Sequence, residues 1–141
     1  MTELIITKPD DMHLHLREGD ILKYACRDTE RQFARAIVMP NLKIPIKSVN
    51  QAEKYYQDIK KCTTHSNFEP LMTLFFNGAL DEKEIKEVSN SDVIHGIKLY
   101  PSGVTTNSND GVDTIDKCFH LFELMQKHGV PLLIHAETND K

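Results

Sequence analysis

Two histidines stand one residue apart in Asp11-Met12-His13-Leu14-His15-Leu16-Arg17. In an extended strand such side chains point the same way, about 6.6 Å apart along the chain. Both imidazoles can therefore converge on one ion at the strand end, with Asp11 close by. Lys98 lies in the apolar run Ile94-His95-Gly96-Ile97-Lys98-Leu99-Tyr100, where burial lowers a lysine's pKa and favours the neutral amine. A neutral amine can combine with carbon dioxide to give a carbamate, an anionic ligand able to bridge two metals. His135 ends a third apolar run, Pro131-Leu132-Leu133-Ile134-His135. Arg17 has the fork that grips a carboxylate bidentately, and Asn41, after Pro40, adds an amide donor of fixed orientation. Each has a plainer reading alone: polar rim histidines, a lysine snorkelling to solvent, a surface arginine, a turn-forming Pro-Asn.

The elements that would position these residues alternate along the chain. Strands are expected at Met12–Leu16, Ala36–Met39, Leu71–Phe76, Ile94–Tyr100 and Leu132–His135, most of them buried on both faces. Leu4–Thr7 could add a leading strand. Ser48 precedes Gln51 in a capping-box pattern, with Val49, Ala52, Tyr56 and Ile59 following at helical spacing. Asp81 and Glu84 open a shorter helix toward Val88. A longer one is expected from Asp113 to His128, with Ile115, Cys118, Phe119, Phe122 and Met125 as its stripe and Gly129 as its stop. A further helix after Gly19-Asp20 carries the weakest pattern.

Strand–helix alternation implies parallel strands joined by right-handed crossovers, an α/β architecture. The expected strand ends, near His15, Asn41, Asn77, Tyr100 and His135, recur about every 30 residues, the spacing of a (β/α)₈ barrel of ~250 residues. No dinucleotide turn or phosphate loop of the doubly wound folds is present. A TIM-type barrel is therefore expected, with five of its eight strands and four helices here. In a barrel His13, His15, Lys98 and His135 would share the C-terminal face, and that convergence argues more strongly than any one residue.

Composition narrows the classes. With 40% hydrophobic residues, 27% charged and a net charge of −4, the chain reads as an ordinary globular domain. Its basic residues are scattered, so neither nucleic acid nor an anionic membrane is expected as a partner. The opening residues lack the pattern of a signal peptide, and no apolar run reaches membrane-spanning length. Cys26, Cys62 and Cys118 show neither pairing nor metal-ligand spacing. They fit a reducing cytoplasm as packing residues.

Taken in order, Asp-Met-His-Leu-His-Leu-Arg, Ile-Val-Met-Pro-Asn, Lys-Leu-Tyr-Pro with Thr105-Thr106-Asn107, and Pro-Leu-Leu-Ile-His-Ala-Glu resemble successive motifs of the bacterial dihydroorotases. The resemblance is to the single-function type within the amidohydrolase superfamily, and it runs from Pro9 to Glu137. It implies a barrel with two zinc ions: His13 and His15 on one, His135 on the other, carbamylated Lys98 bridging them. Arg17 and Asn41 match the residues for the substrate carboxylate. Thr105 and Thr106 match a mobile loop over the substrate, although the stretch also reads as an ordinary polar loop. The implied reaction interconverts dihydroorotate and N-carbamoyl-L-aspartate in pyrimidine synthesis. The family's remaining histidine ligand and its aspartate base come from the sixth and eighth strands, so residues 1–141 read as the N-terminal portion of one barrel domain and supply no catalytic base. A homodimer of the full-length enzyme, or association with the missing part, is implied. Alternatives are an inactive scaffold or partner fragment keeping part of the metal site, and another cyclic-amide hydrolase of the hydantoinase kind. Arg17, Asn41 and the threonine loop argue against the last of these.

Overall fold

Apolar runs of Ile, Val, Leu and Phe pair side by side while the amphipathic stretches between them wind into helices against one face. The computed structural model describes residues 3–64 and 67–137. Its strands are β1 (Asp10–Leu14), β2 (Arg35–Val38), β3 (Glu69–Phe75), β4 (Ile94–Leu99) and β5 (Leu132–Ile134). The helices are α1 (Asp20–Gln32), α2 (Val49–Cys62), α3 (Glu82–Ser89) and α4 (Phe119–His128). All strands are parallel and lie in the order β1-β2-β3-β4-β5. That order has no reversal point of the doubly wound kind, and each right-handed crossover returns its helix to the same face. Helix neighbours duly touch in sequence, α1 with α2, α2 with α3 and α3 with α4.

Local chemistry sets the helix ends. Ser48 and Gln51 form the reciprocal capping box, Asp81 accepts from the Glu84 backbone, and Gly129 closes α4 at φ 68. Leu22, Cys26, Ala52, Ile59, Ile85, Leu121 and Met125 face Met72, Leu74, Phe76 and Ile97 across one core. Phe75 and Tyr100 are equally buried but lie outside that cluster, stacked with ring centroids 5.2 Å apart. β3 is thus buried on both sides, and its inner side supports the site.

Four expectations are corrected. The Leu4–Thr7 run forms no strand; Leu4, Ile5 and Ile6 lie exposed, with no neighbouring strand to pair with. The helix expected from Asp113 begins only at Phe119, after a 3₁₀ turn over Ile115–Cys118. The cause is Val112, whose bridge to Pro101 keeps the preceding backbone in a loop. Ile115 and Phe119 are consequently exposed, and the buried side of the segment is Cys118, Leu121 and Met125. In α2 it is Tyr55 rather than Tyr56 that is buried. Finally, burial on both faces holds for the inner strands only: Met12 in β1 and Ile134 in β5 are more than half exposed, because each lies on an edge of the sheet.

Close approach explains one glycine. A Cβ on Gly96 of β4 would lie 2.6 Å from Leu133 Cδ1 and 3.0 Å from the Pro131 carbonyl oxygen. A side chain at position 96 would require Leu133 to turn aside and the Pro131 carbonyl to give slightly, and glycine spares β5 both adjustments.

Candidate functional site

Parallel strands put all their C-terminal ends on one rim, and the candidate residues gather there. His13 is the penultimate residue of β1 and lies within an irregularity, since the β1–β2 register shifts between Asp11 and Leu14. Asp11 accepts the His13 backbone N–H at 2.9 Å. Such irregularities re-aim side chains, and here His13 Nε2 lies 3.1 Å from His15 Nε2. Two nitrogens on one tetrahedral zinc stand roughly 3.3 Å apart at ordinary bond lengths. The pair therefore already has the spacing of two ligands on one ion.

Electrostatics favours the neutral, metal-binding form of both rings. Burial, then the charge of Arg17, then that of His13, hold the His15 pKa down to about 4, with Asn41 opposing. His13 is lowered by partial loss of water, then by Lys98 and His135, with Asp11 opposing. These mutual effects place His13, His15, Lys98, His135 and Arg17 in one electrostatic neighbourhood.

Lys98 is 3% exposed, deep at the end of β4 between Phe75 of β3 and Leu133 of β5. No carboxylate pairs with it among the described residues; its Nζ lies 5.3 Å from the Tyr100 ring centre. Burial lowers its pKa toward the neutral amine. His135, just past β5, donates its backbone N–H to Leu99 O at 2.9 Å and stands 5.7 Å from Tyr100, ring centre to ring centre. Its Nε2 is 2.6 Å from a Glu137 carboxylate oxygen. Among the described residues no three His, Cys, Asp or Glu side chains close on one point as a metal-holding set. What the rim offers is a partial donor set: a ready imidazole pair, a buried amine and a separate histidine.

The substrate candidates divide. Arg17 adopts φ 61, and its carbonyl accepts the Tyr55 hydroxyl at 2.6 Å, which ties the end of β1 to α2. Asn41 is 1% exposed and held at both ends of its amide: Nδ2 donates to Thr106 O at 2.9 Å, Oδ1 accepts the Tyr100 hydroxyl at 3.1 Å, and His15 makes a further side-chain hydrogen bond with it. Its carbonyl accepts from Asn107 Nδ2 at 3.1 Å. Thr106 thus meets Asn41 through its backbone. Thr105 does not reach it and instead exchanges bonds with Ser108, which is buried inside the loop. Sequence reasoning missed Tyr100 and Ser108 as organisers; Tyr100 stood inside a quoted motif, but nothing in spacing reveals what its hydroxyl meets.

A sequentially ordered parallel sheet whose C-terminal rim carries His-x-His, a buried lysine and a strand-end histidine defines an amidohydrolase-type site. The amidohydrolase family model matches residues 5–141, and the chain belongs to that family, whose members are generally metal-dependent. Among its relatives are the dihydroorotase of Methylobacillus flagellatus, 47% identical over 140 residues, and that of Cupriavidus taiwanensis, 50% identical over 139. These alignments cover 99% and 98% of this chain but 41% and 40% of the relatives, so the chain spans about two fifths of their length. The crystal structure of a dihydroorotase from Campylobacter jejuni superposes with a TM-score of 0.88 at 43% identity, covering 95% of this chain and 39% of that one. A dihydroorotase from Saccharomyces cerevisiae, in complex with 5-fluoroorotic acid, gives 0.84 at 30% identity, covering 94% and 38%. The expected fold is borne out: the five strands and four helices form an arc of a TIM-type barrel.

Proposed function

We propose that this chain is the N-terminal portion of a single dihydroorotase barrel domain and carries one wall of its active site. The reaction is reversible hydrolysis of the cyclic amide of dihydroorotate to N-carbamoyl-L-aspartate, in the cytoplasm. The observation that carries the reading is the gathering of His13, His15, Lys98 and His135 on one rim with Arg17 and Asn41 beside them. The similarity to dihydroorotases over nearly all of the chain supports it.

His13 and His15 would hold one zinc ion and His135 a second. Lys98, as its carbamate, would bridge them; burial without an anionic partner supports that modification. The metals would supply Lewis acidity and an activated water. Arg17 pairs with the substrate carboxylate by charge, and Asn41 adds a donor that fixes the ring's orientation. Thr105 and Thr106 lie on the loop that shields this corner from water. The general base comes from outside these residues.

Both sheet edges favour association with the rest of a barrel. β1 and β5 have unpaired outer sides, and Met12, Ile134, Ile115 and Phe119 are exposed near them. Three further strand–helix units, in the same polypeptide or an associated one, would cover these edges, and the completed enzyme would then pair as a homodimer. The incomplete donor set also keeps a second reading in view, a partner fragment that binds metal without turnover.

The test is zinc content with dihydroorotate hydrolysis, measured on the chain alone and on the completed barrel. Two zinc ions and turnover in the completed protein are expected. Metal without turnover there favours the partner reading, and no metal at neutral pH with His13 and His15 intact overturns the site.

A further inference from the structure

Tyr100 leaves β4 two residues beyond Lys98 and is completely buried. Its ring is held from three directions: stacked on Phe75 at 5.2 Å, beside His135 at 5.7 Å, and under Lys98 Nζ at 5.3 Å. Four neighbours of one ring, counting Asn41 at the hydroxyl, belong to four different parts of the sequence. The hydroxyl donates to Asn41 Oδ1 at 3.1 Å. Two further partners of Asn41, Thr106 O at its Nδ2 and Asn107 Nδ2 at its backbone carbonyl, belong to the loop between β4 and α4. Tyr100 is therefore the amide's contact with β4, beside a side-chain hydrogen bond with His15 just past β1.

A primary amide has two ends of nearly equal size, one accepting and one donating, and its neighbours decide which way it faces. The Thr106 carbonyl can only accept, so Nδ2 faces the loop while that bond is made. The phenol supplies the matching donor on the opposite side, from a ring too tightly packed to follow the loop. We infer that Tyr100 is a positioning residue, whose hydroxyl keeps the Asn41 carboxamide turned with its N–H₂ toward the Thr106 side and its oxygen toward β4. The inference rests on the reading that Asn41 receives the substrate carboxylate. Tyr100 itself acts through Asn41.

Tyr100→Phe removes the hydroxyl and keeps the ring, so the packing against Phe75, Lys98 and His135 survives. In the completed barrel, KM for dihydroorotate is expected to rise about tenfold, the value of one lost hydrogen bond. kcat should change less than about threefold, and zinc content should match the wild type. Tyr100→Phe added to Asn41→Ala should do no further harm. A fall in kcat and zinc with KM unchanged would overturn the inference, because Tyr100 would then be supporting Lys98 or His135. Multiplying effects in the double variant would overturn it too. A second readout needs no turnover: the side-chain ¹⁵N–¹H₂ signals of Asn41 should shift or broaden in Tyr100→Phe, and unmoved signals contradict the proposal. Signals that shift in Tyr100→Phe, with wild-type Asn41 signals that do not respond to dihydroorotate, would uphold the positioning role and sink the substrate reading instead.

Discussion

The two ends of the rim solve the same problem differently. At the β1 end, His13 is exposed on an edge strand and His15 lies half-buried just past it, and the two approach each other locally, through a register shift and one Asp11 bond within a few residues. At the β4 end, Lys98 and Tyr100 are buried, and their surroundings come from β3, β5 and the loop beyond Asn41. The first arrangement can be written in a short motif. The second requires most of the domain to be folded. Function should therefore be easy to remove at either end, whereas stability should respond differently at each.

The largest expected effect is on activity at the buried end. Lys98→Met should lower dihydroorotate hydrolysis by the completed protein on the order of 10³-fold, comparable to losing one preorganised charge-stabilising group. Its urea midpoint should equal or exceed the wild type, since an unpaired buried lysine gives way to an apolar side chain of similar size. A large loss of stability would contradict the picture of an amine buried for chemistry. Next in size, His13→Ala should weaken zinc binding by about 100-fold or more in a chelator competition, on the scale of losses seen when a site's supporting groups are removed. Stability of the metal-free protein should barely change, because the ring is exposed. A folding defect there would erase the contrast between the two ends.

The pH dependence of the metal-free protein is a smaller test of the same contrast. The His15 pKa is held down to about 4 in the folded chain against an ordinary 6.5. Between those values the unfolded chain binds a proton that the folded chain refuses. Stability is thus fully present above pH 6.5, declines as pH falls and levels off below about 4. His13, lowered as well, adds to the decline with the same sign. Allowing for solvent screening, the loss at His15 should be about 1–2 kcal/mol. Urea midpoints at pH 7 and pH 4.5 measure it, and His15→Asn should flatten the slope. The smallest effect concerns a long-range tie at the β1 end: Tyr55→Phe frees the Arg17 carbonyl and should cost about 1 kcal/mol in chemical denaturation.

This contrast also explains what could be read in advance. The strands could be placed to within about two residues by their apolar runs, and helix ends by Ser48, Asp81 and Gly129, because apolar runs and caps are written in consecutive residues. The histidine pair was legible because period two is a property of any strand. The start of α4 was not, since the bridge from Val112 to Pro101 is tertiary. Nor was the exposure of Leu4–Ile6, Met12 and Ile134, which depends on where the sheet's edges fall. Asn41 could be nominated from its motif, but its engagement by Tyr100 and the loop required the fold itself.

Gly96 carries a consequence for anyone who searches this protein by mutational scanning. The hydrogen in place of a side chain leaves Leu133 and the Pro131 carbonyl undisturbed where β5 meets β4, two and four residues before His135. A scan for lost activity would register any effect at position 96 on the same scale as the histidines, although nothing there has chemistry to offer. Maps of tolerance therefore need a geometric filter before they are read as maps of contact: one class of intolerant positions touches the substrate, and another sets the spacing of residues that do.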